Sequence, residues 1–201
     1  MTDKELMLAI CRGDQSAYQT AVKEHFKPIS HYAYRLLGNQ KDTEDITQEV
    51  FLKLWVNAET WKPEKSKLTT WLHRITHNLC IDYLRKHSRV KTLDNFEEHL
   101  IEISEQTNDR GDSFTQRDLC RDSEKNRILD NALHQLPESQ RSAIMLCTVQ
   151  NFSNKEAAVI MDVSVKALES IIARAKRSLK SIVRTMADNG NTDELPEKQK
   201  E

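Results

Sequence analysis

From Asp42 to Arg89 the apolar residues recur at helical spacing, which leaves little room for any fold but packed helices. Ile46, Val50 and Leu54 make one stripe on a helix expected from Asp42 to about Asn57, with Asp42 as N-cap and Glu44 and Asp45 in the electropositive first turn. Leu68, Leu72, Ile75, Leu79 and Tyr83 make another on a helix expected from Thr69 to Lys86. Both helices carry more than a core requires. On the first, Asp45, Gln48, Glu49, Leu52 and Val56 mix acids with aliphatics on a second face, which suits a docked partner better than open water. On the second, Thr70, Arg74, Asn78 and Arg85 lie on a face of their own. The loop between them, Trp61-Lys62-Pro63-Glu64-Lys65-Ser66-Lys67, joins an aromatic to three lysines. Cations for phosphates beside aromatics for bases suit single-stranded nucleic acid, and the same composition also fits a solvated lysine loop.

Charge is segregated along the chain although the net charge is only -1. Lys62, Lys65, Lys67, Arg74, Arg85, Lys86, Arg89 and Lys91 face only Glu64 and Asp82 within their stretch. From Asp94 to Glu124 the balance inverts: ten acids stand against Arg110, Arg117 and Arg121. Lys166, Arg174, Lys176, Arg177, Lys180 and Arg184 then surround the single acid Glu169. Two basic blocks about an acidic middle suggest two anion-binding modules on a tether. With 30% charged residues, four Gly and four Pro, the expected fold class is all-α: two small helical domains joined by a flexible acidic linker. The domains are expected at 1–90 and 124–185, the linker at 91–123 and a disordered tail at 186–201. No apolar run approaches the roughly 20 residues of a membrane span, and MTDKELMLAICRGD lacks a signal-peptide core, so no membrane insertion is expected. Cys11, Cys80, Cys120 and Cys147 are scattered and read as reduced thiols of a cytoplasmic protein.

Two further helices, Glu5 to Arg12 and Ser16 to Leu37, read as scaffold, with Leu6, Leu8, Ala9, Ile10, Tyr18, Val22, Phe26, Ile29, Tyr32, Ala33, Leu36 and Leu37 as core. Gly38-Asn39 ends the second. In the other half, Arg127 to Gln135 is a helical stretch with Ile128, Leu129, Ala132 and Leu133, and Pro137 suits a following first turn. Ser153 and Glu156 fit a capping box, Asp162-Val163 turns, and Ser164 caps a longer helix from Val165 to about Arg184. Two helices about a short turn, the second ending basic, fit a helix-turn-helix. Lys166, Glu169, Ser170 and Arg174 then point to a groove, while Leu168, Ile172 and Ala175 face the core.

The long match settles more than composition does. Asp45, Gln48 and Glu49 ahead of Phe51 and Trp55, then Trp71-Leu72, Ile75, Asn78, Asp82 and Arg85, resemble region 2 of a bacterial sigma factor of the extracytoplasmic-function (ECF) group. Leu136-Pro137, Arg141, Glu156-Ala157, Ser164-Val165 and Arg174-Ala175 resemble region 4 in the same order. Asp162 stands where family members often carry Gly, and Glu169 and Ile171 stand where a basic residue is common. The resemblance implies a factor, not an enzyme, that binds core RNA polymerase and promoter DNA and is held inactive by an anti-sigma factor. It implies polymerase docking through Asp45, Gln48, Glu49 and Leu52, on the coiled coil of the largest-subunit clamp. Trp61, Lys62, Lys65, Lys67, Trp71, Arg74, Asn78 and Arg85 would meet the opened −10 element, and Ser164, Lys166, Glu169, Ser170 and Arg174 the duplex −35 element. By the same resemblance the acidic linker threads a polymerase channel normally taken by RNA, although a solvated spacer needs only its composition.

Two rivals remain at this level. A duplex-binding regulator explains the C-terminal half alone, but not Asp42 to Arg89. His73, His77 and Cys80 fall at i, i+4 and i+7, so they share a helical face that a metal-dependent enzyme could use. No closing ligand is evident beside them, and the expectation is no metal and no cofactor, with the histidines in packing or phosphate-facing roles.

Overall fold

The computed structural model describes the backbone of residues 1–94 and 131–190 and the side chains of 1–87 and 131–186. All regular elements among these residues are helical. The chain divides into two compact units, Met1–Asp122 and Ser123–Glu201.

Unit one is built from α1 (Asp3–Cys11), α2 (Gln15–Leu37), α3 (Gln40–Val56), a 3-10 turn (Ala58–Thr60) and α4 (Leu68–Asp94). Local chemistry sets the ends. Thr2 and Glu5 form a reciprocal capping box on α1, and Asp14 accepts from the Ser16 and Ala17 amides at the start of α2. Gly38 closes α2 at φ 72, a left-handed conformation in which a side chain would be strained. Asn39, not Asp42, caps α3: its side chain accepts from the Asp42 amide at 3.2 Å, and the helix starts at Gln40, two residues before its expected start. An Asn directly after a left-handed Gly can turn its side chain onto the next helix, so Asp42 is left inside the first turn.

α3 runs antiparallel to both neighbours. Tyr18 of α2 meets Trp55 edge-on with ring centroids 5.1 Å apart and donates to the Phe51 carbonyl, while Tyr83 of α4 bonds Asp42. α2 and α4 therefore run in the same direction. Between them Tyr32 is fully buried, its hydroxyl 3.0 Å from His77 Nδ1 and its ring centroid 5.7 Å from that of His73. The core of the three helices is Ile29, Tyr32, Ala33 and Leu36, then Ile46, Val50 and Leu54, then Leu68, Leu72 and Cys80.

Several core expectations need correction. On α4, Ile75, Leu79 and Tyr83 are only half-buried, whereas His73, Thr76, His77 and Cys80 take the inner positions. Each of the first three places one polar atom on an internal partner: Thr76 donates to the Leu72 carbonyl at 2.9 Å, His73 Nδ1 to the Thr69 carbonyl at 2.8 Å, and His77 Nδ1 lies 3.0 Å from the Tyr32 hydroxyl. Leu8 and Phe26 are exposed, and Met7, Ala17 and Ala21 are buried instead. α4 also continues past Lys86 to Asp94, so the first residues assigned to the linker are helical; the rest of 91–123 lies outside the described residues.

Unit two has a helical turn at 131–134, then α5 (Glu138–Ile144), a π-helical turn (Met145–Val149), α6 (Asn154–Ile160) and α7 (Val165–Gly190). Ile128 and Leu129 lie outside the described residues. Pro137 sits at the N-cap of α5, one place before the expected first turn. Arg141 Nη2 reaches back to the His134 and Leu136 carbonyls at 2.9 and 3.2 Å, tying the preceding turn to α5. The expected capping box of Ser153 and Glu156 is present on α6. Asp162 turns the chain at φ 54, and the Ala167 amide donates to Ser164 Oγ at 3.2 Å at the head of α7. Ala143, Met145, Leu146, Ala157, Ile160, Leu168 and Ala175 are the buried centre. Residues 187–190, expected in the tail, are helical in backbone; the remainder of the tail lies outside the described residues.

Burial, and then the charge of Arg85, lower His77 from its ordinary 6.5 to about 4. Burial also lowers His25 and His31. A base whose folded pKa is depressed is protonated in the unfolded chain first, so stability is full above about 6.5 and falls as pH drops toward 4. For His77 the loss is on the order of 3 kcal/mol across that window. Trp55, Trp61 and Trp71 all lie in unit one, so tryptophan fluorescence follows that unit alone. The urea midpoint should fall between pH 7 and 4.5, and His77→Gln should flatten part of the fall. Equal slopes for the two proteins would contradict the assignment.

Candidate functional site

α3 presents two unlike sides. Ile46, Val50, Phe51 and Leu54 point inward. Asp45, Gln48, Glu49, Leu52 and Val56 are all exposed, and the two aliphatics keep 60% and 62% of their surface in solvent. Glu49 pairs with Lys53 one turn on at 3.4 Å, an exposed pair worth a few tenths of a kcal/mol. The row is extended by groups that spacing did not single out. Phe26, exposed on α2, stacks on Phe51 at 6.2 Å, and Trp55 leaves 36% of its surface open against Tyr18. An apolar row flanked by Asp45 and Glu49 is built to be covered by a partner whose rim is polar or basic. Two carboxylates of α3 also act on α4: burial, the Asp42 hydrogen bond and the charges of Asp42 and Asp45 push the Tyr83 phenol up to about 12.

The loop and α4 place their polar groups on another side. Lys62, Lys65 and Lys67 are exposed around a tight turn in which the Lys65 amide donates to the Lys62 carbonyl at 3.0 Å. Arg74, Asn78 and Arg85 are exposed along α4, and Trp71 is half-buried. Trp61 and Thr70 depart from expectation. Trp61 is only 7% exposed and belongs to the core, because the 3-10 turn at Ala58–Thr60 folds its ring back toward the bundle. It offers no face for a base in this conformation. Thr70 is buried as well, so the outward row of α4 begins at Arg74.

His73, His77 and Cys80 are all buried, and the two histidines spend their Nδ1 atoms on Thr69 and Tyr32. Burial pushes the Cys80 thiol up to about 12, which disfavours the thiolate that a metal would need. No group of three or more His, Cys, Asp or Glu among the described residues is placed to hold a metal ion. Nor is any described helix long and apolar enough to cross a membrane.

In unit two, Ser164, Lys166, Glu169, Ser170 and Arg174 share one exposed side of α7, opposite buried Leu168 and Ala175; Ile172 is half-buried. Ser170 Oγ donates to the Lys166 carbonyl at 3.0 Å and Arg174 Nε to the Ser170 carbonyl at 3.3 Å, so both side chains lie along their own helix. α6, a short turn with Asp162 at positive φ, and α7 follow one another as two helices about a turn, the element order of a helix-turn-helix.

Comparison with known proteins agrees with this arrangement. Residues 21–90 match the Sigma-70 region 2 family and residues 126–179 match Sigma-70, region 4. The chain is 31% identical over 173 residues to the ECF RNA polymerase sigma factor SigE of Mycolicibacterium smegmatis, covering 84% of this chain and 63% of that one. It is 27% identical to ECF RNA polymerase sigma factor SigW of Bacillus subtilis, covering 92% and 99% of the two chains. A solved structure of the sigma factor RpoE in complex with the anti-sigma factor NepR, from Bartonella quintana, aligns with 83% of this chain and 96% of that one, with a TM-score of 0.62 at 22% identity.

Proposed function

The chain belongs to the extracytoplasmic-function sigma factors of the sigma-70 family, and from that premise we propose how its two units divide the work of promoter-directed initiation. It binds core RNA polymerase, brings it to a class of promoters, and acts by binding rather than by catalysis, in the cytoplasm. The outward row of α3 docks on the clamp coiled coil of the largest polymerase subunit. Leu52 and Val56, each worth about 1–2 kcal/mol when the exposed part is covered, supply affinity, and Asp45, Gln48 and Glu49 fix register at the rim. That exposed row, on a helix whose other side is fully committed to the core, is the observation that carries the reading.

Lys62, Lys65, Lys67, Arg74, Asn78 and Arg85 hold the opened −10 strand, with Trp71 beside them; Trp61 joins only if the loop opens on binding. The exposed side of α7 reads the −35 duplex through Lys166, Glu169, Ser170 and Arg174, with Ser164 fixing the helix start. Glu169 is the informative member, because a carboxylate in a groove repels phosphate unless it accepts from a cytosine amino group. An anti-sigma factor is the further partner of this reading, since the Bartonella quintana sigma factor RpoE is solved in complex with the anti-sigma factor NepR.

Replacing Asp45 and Glu49 together by Arg sets like charge against the partner's rim and should cost several kcal/mol. Co-purification with core polymerase and run-off transcription should both be lost, while tryptophan fluorescence reports an unchanged unit one. Undiminished co-purification would contradict the assignment.

Asn78 and the loop lysines should separate in a different experiment. An Asn side chain can read a base edge, whereas a lysine contributes salt-dependent phosphate attraction alike on every sequence. Transcription from a set of single-base −10 variants should change in rank order with Asn78→Ala. Lys65→Ala should lower all of them together. If both substitutions lower every variant equally, the division between reading and holding is wrong.

A further inference from the structure

α2 carries a second cationic edge that joins the one on α4. Lys27, His31 and Arg35 follow one another at four-residue spacing, and Arg35 Nε donates to His31 Nε2 at 3.4 Å. Lys27 is exposed, and His31 and Arg35 are half-buried. Burial first, and then the charges of Arg35 and Lys27, hold the His31 proton affinity down, so both cations lie near the ring. Its direction follows from the packing. Tyr32 faces His73 and His77, and α2 and α4 run in the same direction. In such a pair, the positions preceding the contact residue on one helix and those following it on the other fall on the same side. His31 and Arg35 precede or flank Tyr32 on the side toward which Arg74, Asn78 and Arg85 project from His73 and His77. The influence of Arg85 on His77, the ring that meets Tyr32, agrees with that placement. Ile29, Ala33 and Leu36 turn the opposite way, into the core with α3. Glu24, three residues before Lys27, and Asp82, between Asn78 and Arg85, are the acids that share these stretches.

We infer that Lys27, His31 and Arg35 extend the nucleic-acid face of unit one across α2, so that a run of promoter DNA phosphates crosses both helices. This rests on the sigma-factor reading and adds a contact surface to it. Like charges gathered on one face repel each other, and a polyanion that releases its counterions repays that repulsion. The contact carries no base information. It sets how strongly, not which, promoter DNA is held, while Asn78 remains the reader.

The test uses holoenzyme assembled from core polymerase and the full chain, with promoter DNA binding followed from low to high salt. Lys27→Gln with Arg35→Gln should reduce the slope of log K against log salt by about 1.4–1.8, the share of two phosphate contacts on single-stranded or duplex DNA. Affinity should fall alike on all −10 variants. Lys27→Gln alone, at an exposed site that cannot disturb packing, should give about half that change, and Arg35→Lys should keep the slope. An unchanged slope in the Lys27 and double variants, with core binding intact, overturns the inference and leaves the sigma-factor reading standing. A rise in affinity also overturns it, because the face would then be serving the chain's own acidic stretch from Asp94 to Glu124. Wild-type chain that fails to assemble with core polymerase would remove the underlying reading itself.

Discussion

The contact of Tyr32 with His77 and His73 fixes unit one. It sits between two helices that run the same way, each of which also packs on α3. Because the Tyr32 hydroxyl has its partner in His77 Nδ1, a polar pair can occupy the centre of a small core without the cost of stranded polar groups. Rotating α4 about its axis would break that pair and expose it. The pair therefore determines which residues of α4 point outward, and Arg74, Asn78 and Arg85 owe their common side to it.

α3 has the opposite problem. Its inward residues Ile46, Val50 and Leu54 are already satisfied by α2 and α4, so Leu52 and Val56 are surplus to the fold. Two open aliphatics cost solvation in the free chain and return it when covered. The unit thus has one side that is apolar with an acidic rim and another that is polar and basic, which the proposed function assigns to polymerase and to a polyanion. Unit two repeats the logic at smaller scale, with Leu168 and Ala175 of α7 committed inward and Lys166, Glu169, Ser170 and Arg174 left outside.

Much of this was legible from residue spacing. The stripes of α3, the capping box at Ser153, the left-handed Asp162 and the cap at Ser164 all follow from local rules that tertiary packing did not override. What spacing missed has a common cause. Hydropathy ranks Ile75 and Leu79 above Thr76 and His77, yet a buried Thr can bond the carbonyl four residues back and a buried His can bond a Tyr from another helix. Such partners are invisible until the helices meet. Trp61 was misread for the converse reason: neighbouring lysines suggested an open loop, and the short turn at Ala58–Thr60 that buries the ring has no periodic signature. The cap of α3 falls to Asn39 rather than the expected Asp42 because the residue before it, Gly38, determines which side chain can reach the first free amides.

The division of labour between the units is tested most directly by comparing promoter affinity of the chain alone with that of the chain bound to core polymerase. On the proposed reading, two small promoter-binding units gain affinity together only when core polymerase fixes the distance between them. Fluorescence anisotropy on a DNA carrying both promoter elements should show weak, salt-sensitive binding by the chain alone. With core polymerase the binding should be tight and dependent on the spacing of the elements. Equally tight, spacing-dependent binding without polymerase would contradict this division and make the protein a self-sufficient duplex-binding regulator.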